Sequence, residues 1–373
     1  MKFQITSLIF FIIVLLVACP SPAPPDPVTC EDGYHPCGPD SQECCLDTTS
    51  SDFTWVLDTI GLYGSDLFDA TIISEDDIWV VGEIYIEDPD SLNGTGEAQY
   101  NAAHWNGSEW TYHVIYNLAP LRGVIAFGSN DVWFVNGIDV LHYDGSESVL
   151  VWRADAEQYG FYQITELWGT SPDNIYFAGK RGHIVHYNGT SFTHIPTNYD
   201  TDFRYITGTS DGEHVFIVGN PLYRLGENAV IHSIDDPLSW EKVAYPYSPN
   251  DSLSLPNVYS ADVCGDELIL PTREGIWRYN FMKLCSELVP ASEIEYGEQL
   301  YRVTVVQSPN DIFFGGLTME YIHYNGQSYN YTNDIRSNYS QLDGKGGDFR
   351  ENTVIMVGSF NSWEGALVAR GNR

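Results

Sequence analysis

One segment recurs along residues 52–373 and limits the fold more than any other feature. It is a Ser, a short acidic or Asn-rich turn, a run of β-forming residues and a Gly. It reads SEDDIWVVG at 74–82, SNDVWFVNG at 129–137, SPDNIYFAG at 171–179, SDGEHVFIVG at 210–219 and SPNDIFFGG at 308–316, with weaker copies at 264–271 and 348–358. With Trp79, Trp133, Tyr176, Phe216, Ile269, Phe313 and Ile355 as equivalent positions, the spacings are 54, 43, 40, 53, 44 and 42 residues. A period of about 46 residues suits a four-stranded propeller blade, a unit that cannot bury its faces alone and must stack on its neighbours.

A second motif closes each hairpin: HWNG at 104–107, HYDG at 142–145 and HYNG at 186–189 and 323–326. Asn-Gly and Asp-Gly are strong hairpin signals and predict tight turns with both central residues at positive φ. Each unit thus reads strand, Ser/Asp turn, strand, variable loop, strand, Asn-Gly turn, strand. The last copy lacks its fourth strand, while an orphan strand, DFTWVL, stands at 52–57. The expectation is an all-β, seven-bladed propeller of four-stranded antiparallel blades, in which residues 52–57 close the last blade against 365–370 and remove two sheet edges that invite aggregation.

These copies resemble the propeller repeats of secreted bacterial proteins and lipoproteins, which read approximately WGTSPDDVYAVG and end in HYDG; the likeness covers nearly all of 52–373. They are more distantly similar to the Asp-box propellers of sialidases and to photosystem assembly propellers, although no copy here satisfies the Asp-box pattern. The resemblance implies fold and export only, because its members share no catalytic set.

Ahead of the repeats, residues 1–18 have the layout of a secretory signal peptide, with an uncharged apolar run at 8–18 that is too short to span a bilayer. The run ends in Leu16-Val17-Ala18-Cys19, which resembles a bacterial lipobox and implies acylation of Cys19 as the new N-terminus; the rival is an ordinary signal peptide cleaved elsewhere. Acyl chains would anchor the protein to the membrane without a spanning helix. Pro20 is not the Asp that resembles an inner-membrane retention signal, so an outer-membrane location is expected in a Gram-negative cell. Residues 19–51 read as a Pro-rich tether followed by a small Cys-rich segment. Cys30, Cys37, Cys44 and Cys45 suit a disulfide knot in an oxidising envelope better than a zinc site, because their spacing matches no common zinc pattern. Cys264 and Cys285 are left as a bridge within one repeat.

Acidic residues number 51 against 17 Lys plus Arg, a net charge of −34, which disfavours nucleic acid as a partner. The chain carries no HExxH, no phosphate-cradling loop and no dinucleotide fingerprint. His104, His142, His186 and His323 share one repeat position and read as parts of the blade, and Ser210 in GTSDG lies in a repeated turn rather than a nucleophile elbow. His183 and His186 stand on one strand too far out of phase to chelate one metal. No cofactor is expected; residues 88–97 hold a faint calcium-loop pattern out of EF-hand register.

The connections between blades are more informative, because they gather on one face around the channel. They place Tyr63 with Asp66, Tyr116, Tyr159 with Glu157, Tyr199 with Asp200 and Asp202, Tyr247 with Asp251, Tyr296 with Glu295 and Glu298, and Tyr339. These rings either seal neighbouring blades or form an aromatic and acidic face for sugars, cations or basic protein surfaces, overhung by the inserted loop at 83–101. The functional expectation is a membrane-anchored, non-enzymatic envelope protein that binds a glycan or a protein there. The alternatives are a hydrolase or lyase acting on polysaccharide, with two carboxylates as acid and base, and an envelope-assembly scaffold.

Overall fold

The computed structural model describes residues 34–36, 44–46, 48–90, 96–154, 164–197, 199–219, 229–234, 240–242, 258, 260–272, 274–283, 285–294, 301–316, 318–335, 342–360 and 365–373. The signal segment, Cys19, Cys30, Cys37, Tyr159, Tyr247, Tyr296 and Tyr339 lie outside them, as does most of the tether; of the Cys-rich segment the backbone of a two-stranded pairing, Tyr34–Pro36 with Cys44–Leu46, is described.

Seven four-stranded antiparallel sheets follow one another along the chain. Their first strands are Asp66–Ser74, Gly123–Gly128, Ile164–Ser171, Phe203–Gly208, Asp262–Cys264, Tyr301–Ser308 and Leu342–Arg350, which open blades one to seven. These inner strands adjoin in chain order and the last adjoins the first, so the sheets form a propeller ring about a central channel. The fourth strand of blade seven is Thr54–Ile60, paired antiparallel with Ala366–Asn372 from Thr54 opposite Asn372 to Ile60 opposite Ala366.

The second strands explain why the repeat reads as it does. All seven alignment positions, from Trp79 to Ile355, are buried, because each blade is covered on both faces by its neighbours. One apolar cluster fills each junction. Trp79 and Val81 pack with Val132 and Phe134 between blades one and two, and Ile60, Val357 and Val368 pack with Leu67, Ile72 and Val80 where blade seven meets blade one. At the first residue of the second strand, Asp77, Asp131, Asn174 and Asp311 accept a hydrogen bond from Nε2 of His104, His142, His186 and His323, at 2.7, 2.8, 2.8 and 2.7 Å. The first three imidazoles lie on Trp79, Trp133 and Tyr176, with ring centres 4.5, 4.6 and 4.3 Å apart. The repeated His is a blade component.

Four expectations need correction. The HxNG and HYDG turns are not two-residue turns with paired positive φ. Each is a four-residue loop in which only the Gly is left-handed, φ 92° at Gly145 for example. The preceding Asp or Asn supplies the missing contacts: Asp144 Oδ1 accepts the N–H groups of Ser146 and Glu147 at 2.8 and 3.0 Å, and Asn106, Asn188 and Asn325 do the same in their blades. The insertion at 83–101 is largely ordered sheet, since Asp77–Glu87 and Glu97–Trp105 pair out to Glu87 opposite Glu97. The tether's end is docked rather than free, with Thr49 N–H on the Asn325 carbonyl and Ser51 Oγ–H donating to His323 Nδ1 at 2.7 Å.

The fourth correction concerns Cys264, a free, buried thiol. It stands opposite Glu267, which faces Asn280, which faces Cys285, so the two cysteines occupy the first and fourth strands of blade five. Three strand spacings amount to about 14 Å, twice the roughly 7 Å that a disulfide tolerates between Cα atoms. Burial pushes the Cys264 thiol up to about 12. Alkylation of the denatured, unreduced chain is therefore expected to modify Cys264, and recovery of a Cys264–Cys285 peptide pair would contradict the register.

Candidate functional site

The inner strands do not run straight into their partners. Bulges interrupt them between Leu67 and Asp69, Ile164 and Glu166, Phe203 and Tyr205, Tyr301 and Val303, and Gly344 and Gly346. The extra residues are Phe68, Thr165, Arg204, Arg302 and Lys345. In blade two Arg122 stands at the same level, its N–H on the Val135 carbonyl beside the Gly123–Val135 pair. A bulge re-aims its extra residue, and one at the same height in blade after blade sets a tier of side chains at one mouth of the channel. Four of the chain's 17 cationic residues occupy that tier.

The tier is continuous across four blades. Arg302 Nη1 donates to Asp343 at 3.1 Å, and Lys345 Nζ lies 3.8 Å from the same carboxylate and pairs with Asp66. Lys345 Nζ and the Arg122 guanidinium both stand over the Phe68 ring, 4.8 and 4.0 Å from its centre. Close approach of blade seven to blade one makes this possible: a Cβ on Gly346 would sit 2.4 Å from the Phe68 carbonyl oxygen. Among the described residues Asp66 pairs with Lys345, Asp343 with Arg302 and Lys345, and Glu166 faces Arg204, while the exposed Arg122 guanidinium stands over Phe68, so cations are concentrated at this mouth on a chain that is otherwise strongly acidic.

One step deeper the wall turns acidic. Asp69 accepts the N–H of Ala70 at 2.9 Å and that of Val124 in blade two at 3.0 Å. Asp348 accepts from Phe349 at 2.7 Å and from Ile72 in blade one at 2.8 Å. Asp262 accepts from Val263 at 2.8 Å, Val306 in blade six at 2.7 Å and the Thr207 hydroxyl of blade four at 2.6 Å. Each carboxylate links its inner strand to the next. Burial outweighs these contacts, raising Asp348 and pushing Asp69 up to about 7 and Asp262 to about 6. Burial and then the Asp69 charge raise Glu166 well above the carboxylate range, and burial does the same to the Tyr205 phenol. Raised carboxyl groups suit a general acid, yet both oxygens of Asp69, Asp262 and Asp348 are engaged by backbone N–H groups of the wall.

The described members of the aromatic and acidic set take different roles. Asp66 is neutralised by Lys345. Tyr199 packs with Tyr176, Ile184 and Phe203 between blades three and four, the sealing role. Asp200 and Asp202 both meet Arg181, at its guanidinium and its backbone N–H. Tyr63 and Tyr116 are exposed on the surface. Among the described residues no group of three metal-ligating side chains comes together. The cations of the tier escaped the sequence reading because Arg and Lys within a strand look like solvent-facing residues, and only pairing register reveals a bulge.

At the other end of the channel a cleft of about 750 Å³ is lined by Trp168, Asp211, Asp262, Asp266, Met282 and Gln307, among others. At the seam of blades six and seven, Ser51, His323 and Asp311 line up as Ser–His–Asp, but the imidazole is wholly buried and Asp311 is also paired with Arg373. That line serves as a structural lock.

No protein-family model matches the sequence, and neither does any curated protein. Solved structures do resemble the fold. The structure described as YCF48 bound to D1 peptide superposes with a TM-score of 0.63 at 13% identity, covering 88% of this chain and 98% of that one. YCF48 from Cyanidioschyzon merolae gives 0.59 at 10% identity, covering 84% and 98%. The extracellular domain of BT4673 from B. thetaiotaomicron gives 0.57 at 12% identity, covering 84% of this chain and 40% of that domain. At these identities the likeness is one of fold: this chain is an all-β propeller.

Proposed function

We propose that this chain is an exported, lipid-anchored binding protein, a seven-bladed propeller closed by its N-terminal strand and held to the membrane through Cys19. It receives an acidic segment of a partner protein at the cationic mouth of its channel. The observation that carries the reading is the tier formed by Arg204, Arg302 and Lys345 on repeated bulges and by Arg122 at the same level in blade two. Guanidinium groups recognise carboxylates through paired N–H donors, and fixed charges at the mouth of a low-dielectric channel focus the field there even when the net charge is opposite. The Phe68 ring between Lys345 and Arg122 offers an apolar contact beside the charges. A propeller of similar shape, YCF48, is described as bound to the D1 peptide, which supports a peptide over a sugar as the ligand class.

Hexaglutamate is the first probe. It is expected to bind the propeller with an affinity that falls steeply with salt, while hexalysine does not compete. Arg122→Glu, at an exposed position, should weaken binding by about tenfold or more with an unchanged melting temperature, since a charged hydrogen bond contributes about 1.5–3 kcal/mol. Binding that is absent, or indifferent to the Arg122 change, would overturn the acidic-ligand reading.

A further inference from the structure

Among the described residues eight large apolar side chains are exposed, and five of them meet on the outer edge of blade two. Val114, Tyr116 and Leu118 lie in the connection entering the blade, and Val149 and Val151 on its fourth strand, Ser148–Arg153; their exposures run from 36% to 48%. The two stretches are joined, because Tyr116 N–H donates to Ser148 Oγ at 3.1 Å. Ser148–Arg153 ends its sheet, so one side of its backbone has no strand partner among the described residues. Propellers keep such edges short, polar or covered. The fourth strand of blade one, Trp110–His113, has no exposed residue, and that of blade three, Phe192–Ile195, exposes only Thr193.

The patch is also built to keep its shape. Asn101, fully buried, holds the connection with its side chain alone: Oδ1 accepts the Ile115 N–H at 2.8 Å, and Nδ2 donates to the carbonyls of Asn117 and Ala119 at 2.7 and 2.9 Å. Tyr116 is kept at a φ of 62°, a left-handed conformation that a non-glycine residue holds only where the surrounding structure fixes it. At the far end of the strand Arg153 donates to buried Asp139 from Nε and Nη2 at 2.5 and 2.9 Å, and the Tyr116 hydroxyl lies against its guanidinium. A bulge at Val151 turns the strand, so the accessible edge is only a few residues long. That suits one short added strand and disfavours open-ended stacking.

We propose that this edge is a docking strand for an extended segment of a partner protein, with apolar residues in alternation and basic residues at its ends. The segment pairs with the backbone of Ser148–Arg153 and lays its apolar side chains on Tyr116, Leu118, Val149 and Val151. Charge selects the occupant. The turn leading into the strand carries exposed Asp144 and Glu147, whereas the positive charge of Arg153 is balanced by Asp139. A second copy of a chain at −34 is repelled, and a basic strand is drawn in. The inference is independent of the channel mouth.

The test uses the whole propeller and the peptide acetyl-Lys-Val-Thr-Val-Thr-Val-Lys-amide, beside two controls: the same peptide N-methylated at alternate amides, and one with Glu in place of both Lys. The unmodified peptide is expected to bind and to slow amide exchange at residues 148–153, and both controls to bind at least about tenfold more weakly. Val149→Glu with Val151→Glu, both surface changes, should abolish binding without lowering the melting temperature. Equal binding of the N-methylated peptide, protection elsewhere on the surface, or no binding at all would overturn the proposal. So would concentration-dependent dimerisation that protects 148–153, which would assign the edge to a second copy.

Discussion

Asp311→Ala is expected to destabilise the propeller by about 3–5 kcal/mol, read as a fall in melting temperature of roughly 10 °C. The reason is the company the carboxylate keeps. Asp311, His323 and Arg373 are all nearly excluded from solvent, and Arg373 donates to both Asp311 oxygens while His323 Nε2 donates to one. Burial alone would raise the Asp311 carboxyl, but the bonds from His323 and Arg373 outweigh it and hold the group below its ordinary value. Removing it leaves a buried guanidinium without its counter-charge. The same residue position in blade two, Asp131, bonds His142 with a side chain 28% exposed and has no arginine partner among the described residues. Asp131→Ala should therefore cost only about 1 kcal/mol. A second substitution, Arg373→Met in the Asp311→Ala background, should recover part of the loss. Equal melting points for Asp311→Ala and Asp131→Ala would show that the seam lock contributes nothing beyond the repeated His–Asp pair.

The second large effect is a dependence of stability on pH set by the channel wall. The folded pKa values of Asp69 and Asp262, about 7 and 6, lie above the ordinary carboxylate value of 3.8. The folded state therefore binds these protons more tightly than the unfolded chain. Their contribution is fully present below pH 3.8 and is lost as pH rises through 6 and 7, on the order of 7 kcal/mol for the two together. His183 acts in the opposite direction: burial, and then its neighbour His194, lower it to about 4, so its contribution is present above pH 6.5 and lost as pH falls through 4. The melting temperature should peak between these limits and decline from pH 5 to 8. Asp69→Asn with Asp262→Asn removes the titrating groups and should flatten that decline, even though the amides fit the backbone N–H groups less well and lower the peak. A decline of unchanged slope in the double variant would place its origin elsewhere.

Much of the architecture was legible in the chain. Repeated Ser/Asp turns before an apolar run define where each first hairpin bends and which residues lie between blades, and Trp79, Trp133 and Phe313 are buried as that pattern requires. The HxNG and HYDG motifs announce hairpins correctly, while their internal geometry depends on side-chain bonds from Asn106, Asp144, Asn188 and Asn325 that composition alone does not specify. The site was far less legible. Of the seven connections rich in Tyr and carboxylates, those of Tyr159, Tyr247, Tyr296 and Tyr339 lie outside the described residues, Tyr63 and Tyr116 are exposed, Tyr199 fills a junction and Asp66 is paired with Lys345.

What the sequence by itself determined is periodic: the number and order of β units, the large buried apolar residue of each, and the orphan strand read at 52–57, observed as Thr54–Ile60, whose pairing lies at the far end of the chain. These follow from local patterning, which any chain of alternating turns and β-formers carries on its face. Tertiary structure alone decided three things: that Arg204, Arg302 and Lys345 sit on bulges at one height, that Asp69, Asp262 and Asp348 link one blade to the next, and that Cys264 and Cys285 stand three strands apart. Each depends on strand register and on the meeting of blades about 40 to 50 residues apart, and such long-range register is set by packing rather than by any local signal.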